Sequence, residues 1–307
     1  DVGKPCGAYS LRPDTPEEGS GDVQPQRYWL GAVHEIFRRH ALERPQAVAI
    51  VEHAQQWSYG ELLAASSALA QSLQQQGVGQ GDVVTIVAAR RACLVVGVMA
   101  ALQTGAAFSL LDPEYPVERV CLLVDIVKPA CVLFAGERSL FPSPLTARLE
   151  AAAACRYLPV AKDAHELDGR DGFVPASVEP QQLACVTFTS GTTGVPKAVA
   201  GTPIGIAGYL AWVPNWLQVS QEDRFSLLSG LGHDPLQRDM FTSLCIGATL
   251  VIPEPDVIAP QRLAQWLMHN EITFVHLTPA MAEILCATDA KRFPSLRVAF
   301  VTGDKLG

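Results

Sequence analysis

The 307-residue sequence is short of the features that announce a simple function. Its eight cysteines stand at positions 6, 93, 121, 131, 155, 185, 245 and 286, and no two form a Cys-x-x-Cys pair. Several lie inside apolar runs, a usage that fits reduced, buried thiols in a cytoplasmic protein rather than a disulfide frame or a zinc site. The seven histidines are scattered without metal-ligand spacing. Positive charge is scarce: 23 Lys and Arg against 31 Asp and Glu leave a net charge of −8, which argues against a nucleic-acid-binding surface. No uninterrupted apolar run reaches the roughly 18 to 20 residues of a membrane-crossing helix. The nearest, "ACLVVGVMAALQTGAAF", follows Arg90 and Arg91 and is broken by Gly105, so it reads as a buried helix. The N-terminus shows no charged-then-apolar targeting pattern. Two common nucleotide fingerprints, G-x-G-x-x-G and G-x-x-x-x-G-K-[ST], are missing as well.

What remains is a globular chain, 49% hydrophobic and moderately charged, long enough for two core-bearing units. Residues 1–27 are rich in Pro, Gly, Asp and Glu and read as a linker from a preceding domain. From there apolar strands alternate with amphipathic or buried helices. "AVAIVEH", "GDVVTIVA" and "ACVLFAG" are strands, and "SYGELLAASSALAQSLQQQGV" is a helix opened by a Ser58–Glu61 capping box. This alternation predicts an α/β fold with mainly parallel sheets covered by helices. We expect a first α/β subdomain over 28–180 and a second over 181–307, with 141–182 less regular and its part 161–182 a surface connection. A first residue other than Met points to a piece of something longer or to a processed terminus, and an ending on a fresh strand points to a unit incomplete at its C-terminus.

One string concentrates chemistry: "TFTSGTTGVPKAVAGTP", Thr187 to Pro203, set between an expected strand and an expected helix. Backbone N–H groups of a Gly-rich turn form an anion site, and hydroxyls add uncharged donors. Thr189, Ser190, Thr192 and Thr193 supply hydroxyls, Gly191 and Gly194 allow close approach, and Lys197 adds a cation at the rim. Taken alone, the same composition also suits a solvated turn.

The longer string "FTSGTTGVPKAV" resembles the phosphate-loop signature of the acyl- and aminoacyl-adenylating superfamily, which includes acyl-CoA synthetases, luciferases and adenylation domains of nonribosomal peptide synthetases. "WSYGELLAASSALAQSL" is similar to the family's early helix signature. "LQTGAAFSLLDPEYPVERV" is similar to its Gly-Ala-Tyr…Asp-Pro segment, with Gln103 where Lys or Ala is usual and Ser109–Leu110 in place of a Val–Pro step. The resemblance covers about residues 29–307. It implies two stacked α/β subdomains and a loop that closes over the β- and γ-phosphates of ATP while a substrate carboxylate attacks the α-phosphorus. Thr189, Ser190, Gly191, Thr192, Thr193, Gly194 and Lys197 fall on the matching positions, Thr189 and Lys197 as the catalytic pair.

"GLGHDPLQRDMF" brings His233, Asp234, Arg238 and Asp239 close together in sequence, which by itself equally fits a surface ion-pair network. The resemblance places Asp234 where amino-acid-activating members meet the substrate ammonium. It places Pro235, Arg238, His276, Phe300 and Thr302 along the side-chain pocket, with His233 beside them. The set is similar to α-aminoadipate reductases, and guanidinium plus imidazole suits a second carboxylate, as in L-2-aminoadipate or glutamate. Thr302 departs from the Val expected there. Without ligand, His276 also reads as a core histidine, and Arg238 as a partner of Asp239 or Asp223.

The resemblance further implies Mg2+ with its ligand beyond Gly307, a phosphopantetheine carrier domain and a downstream reductase domain as partners, and weak or no turnover by these residues alone. An acyl-CoA or aryl-CoA ligase of the same fold, or a non-catalytic nucleotide-binding module, are the alternatives.

Overall fold

Strands of three to six residues alternate with helices along most of the chain. A computed structural model describes residues 29–159, 173–189, 196–232, 234–288, 290 and 292–302, and the statements below concern these. The order is α1 (Val33–Glu43), β1 (Val48–Glu52), β2 (Gln55–Ser58), α2 (Tyr59–Gln75), β3 (Val83–Ala88), α3 (Ala92–Gln103), β4 (Ala107–Leu111), α4 (Val117–Val127) and β5 (Cys131–Ala135). Then come α5 (Ser143–Ala152), β6 (Ala154–Leu158), β7 (Cys185–Thr189), β8 (Lys197–Gly201), α6 (Pro203–Leu217), β9 (Arg224–Ser226) and α7 (Asp234–Ile246). The last are β10 (Thr249–Ile252), α8 (Pro260–His269), β11 (Phe274–Leu277), α9 (Pro279–Cys286) and β12 (Val298–Val301).

Two six-stranded sheets result, ordered β12-β11-β9-β10-β1-β2 and β6-β5-β3-β4-β7-β8. Pairing is parallel except at two hairpins, β1–β2 and β7–β8. All five residues of β5 are buried. Cys131, Leu133 and Ala135 face the core between the sheets, while Val132 and Phe134 face the outer core under α4 and α5. A strand covered on both sides must be apolar at every position, and this one is. On the other sheet Leu250 and Phe274 face the middle, whereas Val251 and Val275 face α8 and α9. Helices α1, α2, α3 and α7 fill the layer between the sheets.

Local signals explain the elements. The Ser58 hydroxyl accepts from the Glu61 N–H at 3.2 Å, and the Glu61 carboxylate accepts from the Ser58 N–H at 2.7 Å, so the capping box forms as the sequence predicts. Every residue of α3 is buried, which accounts for its lack of a polar face. Gly105, at φ +82°, ends that segment where a side chain would be strained and 3.0 Å from the Ala176 methyl. Gln103, unusual against the family pattern, is buried and satisfied: it accepts from the Ser67 hydroxyl and donates to Ser66 Oγ, both at 2.9 Å. Two serines on α2 thus supply what an amide at this position needs.

Three expectations change. The division near residue 180 does not separate the sheets: β1 and β2 join the later strands, and β7 and β8 complete the earlier sheet. Residues 143–158, read as irregular, form α5 and β6, because an Ala-rich helix with a weakly amphipathic pattern gives little periodic signal. The Gly/Thr string leads from β7 into a second strand, β8, and not directly into a helix. Ala, Gly and Lys are poor strand formers, so β8 was hidden; its pairing with β7, not its own propensity, makes it a strand.

Candidate functional site

The Gly/Thr string is bounded by two strand ends. Thr189 closes β7 and Lys197 opens β8, and the two are register partners, so a hydroxyl-bearing and an amine-bearing residue stand side by side. Both are exposed. Ser190, Gly191, Thr192, Thr193 and Gly194 lie outside the described residues. At the far end of the hairpin Gly201 faces Cys185, and a Cβ on Gly201 would overlap the Cys185 sulfur. Glycine is required there so that the hairpin lies flat against β4 through β7. Thr189 sits at the carboxyl end of β7, the end at which open α/β sheets receive ligands.

The second group of candidates converges on α7, β11 and β12. Helix α7 begins at Asp234, with Pro235 in its first turn, where a missing N–H is tolerated. Spacing of four places Asp234 and Arg238 on one helix face. The side chains of Asp234 and Pro235, and all of His233, lie outside the described residues. The Arg238 guanidinium stands 6.0 Å from the Tyr209 ring centroid on α6. These two residues, with Gly205, Ile206, Gln237 and Phe241, line a pocket of about 250 Å3 between α6 and α7.

His276 on β11 and Phe300 on β12 are register partners, and their rings stack at 4.7 Å and 12°. Thr302 follows β12 and donates its N–H to the Leu277 carbonyl at 3.1 Å. Trp216 on α6 stacks on Trp212 at 4.6 Å and stands 6.3 Å from Phe300, extending the aromatic file to the surface.

His276 is buried, and its Nδ1 is hydrogen-bonded to Asp239 Oδ1. Asp239 is itself fully buried on α7. Burial holds its carboxyl above the usual carboxylate range, while His276, Arg238 and the Ser229 side chain pull it down. Its second oxygen finds no hydrogen-bond partner among the described residues.

Asp239 therefore belongs to His276 and not to a surface network. Asp223, the other acid offered to Arg238, is held instead by Arg297 Nη1 at 2.6 and 2.8 Å, the Ser220 N–H at 2.8 Å and the Thr273 hydroxyl at 2.7 Å. The sequence did carry a signal for Asp239. Leu236, Asp239, Met240 and Ser243 share the buried stripe of α7, so helical spacing puts that carboxylate in the core.

The pattern of the AMP-binding enzyme family matches residues 37–307. The chain belongs to that family. Among curated relatives of this AMP-binding chain, the L-2-aminoadipate reductase large subunit of Eremothecium gossypii is 35% identical over 98% of this chain and 23% of the relative. The L-2-aminoadipate reductase of Schizosaccharomyces pombe is 33% identical over 100% of this chain and 24% of its own length. A linear gramicidin synthase of Brevibacillus parabrevis is 31% identical over 89% of this chain and 5% of that protein. The chain thus spans about a quarter of the reductases it matches.

The AMPPNP-bound crystal structure of the nonribosomal peptide synthetase FmoA3 superposes with a TM-score of 0.79 at 26% identity, over 89% of this chain and 29% of that one. The Klebsiella oxytoca NpsA N-terminal subdomain shares the fold, with a TM-score of 0.78 at 22% identity over 90% of this chain and 69% of that one. The two-sheet α/β architecture of this AMP-binding chain is therefore the fold of the FmoA3 synthetase and of the NpsA N-terminal subdomain.

Proposed function

We propose that the chain supplies the triphosphate grip and the amino-acid pocket of an adenylation domain, which converts ATP and a dicarboxylic amino acid to aminoacyl-AMP and pyrophosphate. Lys197 and the hydroxyls of Thr189, Ser190, Thr192 and Thr193 neutralise and orient the leaving pyrophosphate. Gly191 and Gly194 let backbone N–H groups reach it. Such chemistry is positioning and charge neutralisation, which this donor set suits without a nucleophile. Asp234 receives the substrate ammonium, beside His233, while Pro235, Phe300 and Thr302 shape the walls.

The observation that carries the substrate class is the meeting of α7 with β11. Arg238 lines the α6–α7 pocket, and His276 is bonded to the next residue on the same helix. The Arg238 guanidinium of that pocket suits a second carboxylate, with His276, which is not among the residues lining it, assigned as a further donor; L-2-aminoadipate is the first choice, glutamate the next. The aminoacyl group then passes to the phosphopantetheine thiol of a carrier domain, with a reductase domain as a further partner.

Mg2+ would offset phosphate charge during the reaction. Its protein ligand is proposed to lie beyond Gly307, as the resemblance implies, and no step is routed through it. No described helix is long and apolar enough to cross a membrane. The seven described cysteines are unpaired, and burial pushes the Cys93 thiol up to about 12, so we assign the protein to the reducing cytoplasm.

Amino-acid-dependent pyrophosphate exchange tests this reading, run on the chain and on a polypeptide extended to the length of its relatives. Exchange driven by 2-aminoadipate or glutamate in the longer form, and weak or none in the chain alone, is expected. Exchange driven only by fatty or aryl acids would transfer the assignment to a CoA-ligase type of site.

A further inference from the structure

Of the candidate binding residues on β11 and β12, His276 alone has a carboxylate buried behind it. Nδ1 is occupied by Asp239 Oδ1, so Nε2 is the one ring nitrogen left for a ligand. Whether Nε2 is a donor or an acceptor depends on how many protons the pair holds. With one proton held between Asp239 and Nδ1 and another on Nε2, the pair is neutral, and Nε2–H is a donor. This is so whether the inner proton sits on oxygen or on nitrogen. With the proton taken from Nε2 and the inner one kept, the pair is an anion, and Nε2 becomes an acceptor that repels a carboxylate.

The surroundings favour the neutral form. Asp239 lies wholly inside the molecule, and burial outweighs the Arg238 charge and the Ser229 side chain that would stabilise a negative charge on it. The ring is flanked by Phe300, stacked at 4.7 Å, and by Phe274, edge-on at 6.2 Å, neither of which solvates an anion. The ionisable groups acting on Asp239 besides His276 are Arg238 from its own helix and Tyr209 from α6. The Ser229 hydroxyl is the uncharged polar group beside it. A net charge of −1 on a pair so enclosed is opposed by desolvation.

We propose that Asp239 is a positioning residue for substrate selection: it fixes the His276 ring through Nδ1 and keeps a proton on Nε2, which then donates to the side-chain carboxylate of the amino acid. This rests on the dicarboxylic reading above and deepens it, because it makes selection for the acid pH-dependent in a stated sense. When the pair releases its proton, the donor is lost and the acid is rejected, while an amide side chain, able to donate as well as accept, is affected far less.

The test compares glutamate and glutamine, which share length and ammonium group and differ in the terminal group. Affinities are measured by calorimetry on the purified chain over a series of pH values on both sides of neutrality. In the unmodified chain the glutamate-to-glutamine affinity ratio should fall with rising pH, approaching tenfold per unit once the proton is released. In Asp239→Asn the acid that holds the inner proton is gone, and the fall in the ratio should come at lower pH.

His276→Gln, which has no titrating ring, should be flat, and adding Asp239→Asn to it should change nothing further. A fold defect would weaken both ligands together and leave the ratio unmoved, so misfolding does not mimic the result. A fall over the same pH range in the unmodified and Asp239→Asn chains overturns the proposal. In parallel, nitrogen NMR of labelled histidine reads Nε2 protonation with no ligand present. Nε2–H persisting to higher pH in the unmodified chain than in Asp239→Asn supports the Asp239 assignment, and coincident titrations overturn it. An NMR difference without any preference for glutamate would instead sink the dicarboxylic reading while leaving the Asp239–His276 coupling standing.

Discussion

The two halves of the candidate site are built in opposite ways. The phosphate corner is local: Thr189 and Lys197 face each other across a hairpin whose outer strand is exposed. The amino-acid corner is assembled from α7, β11 and β12, and its central pair, Asp239 and His276, is 37 residues apart in sequence and enclosed in the core. A local, solvated corner can change its chemistry with little effect on folding. In a buried, long-range corner, chemistry and folding are one problem.

Substitutions separate the two most sharply where the effect is largest. Lys197→Ala should lower pyrophosphate exchange in the extended polypeptide by about 100- to 1000-fold, as loss of a charge-stabilising donor typically does. Its stability in urea should change by no more than about 0.5 kcal/mol, because the residue is exposed. His276→Ala should instead destabilise the chain by about 3 kcal/mol in equilibrium unfolding, since it strands a buried carboxylate. If the two variants unfolded alike, the contrast between the corners would collapse.

Gly201→Val probes the frame of the phosphate corner. The added side chain meets the Cys185 sulfur, so a loss of about 1–3 kcal/mol is expected in the same unfolding assay. A neutral result would mean that the hairpin is not held against its neighbour as described. The smallest effect concerns pH. Burial raises Asp239, so its protonated form is the one folding favours. That contribution is whole below the unfolded carboxylate value of about 3.9 and is lost as pH rises through the folded value. The stability of the unmodified chain relative to Asp239→Asn should therefore decline with rising pH, and a rising difference would contradict the assignment.

The same contrast explains what the sequence made legible. The phosphate string was readable because its chemistry is contiguous, yet β8 within it was not, since its strand character comes from pairing with β7. The alternation of β3, β5 and α3 was readable from runs that are apolar because both faces are covered. Which sheet each strand joins was not: β1 and β2 travel to the later strands, a long-range choice that no local pattern records. Arg238 and His276 could be named from residue type and position, but the identity of the partner could not. Asp239 looked like a counter-charge for its neighbour Arg238, and only the crossing of α7 over β11 gives it to His276.

The sharpest single check on the assigned chemistry is pyrophosphate exchange driven by a panel of amino acids, fatty acids and aryl acids, on a polypeptide extended to the length of the relatives. 2-Aminoadipate or glutamate should drive exchange, and their amides should do so far less. Exchange with carboxylic acids lacking an amino group, or with no acid at all, would overturn the assignment.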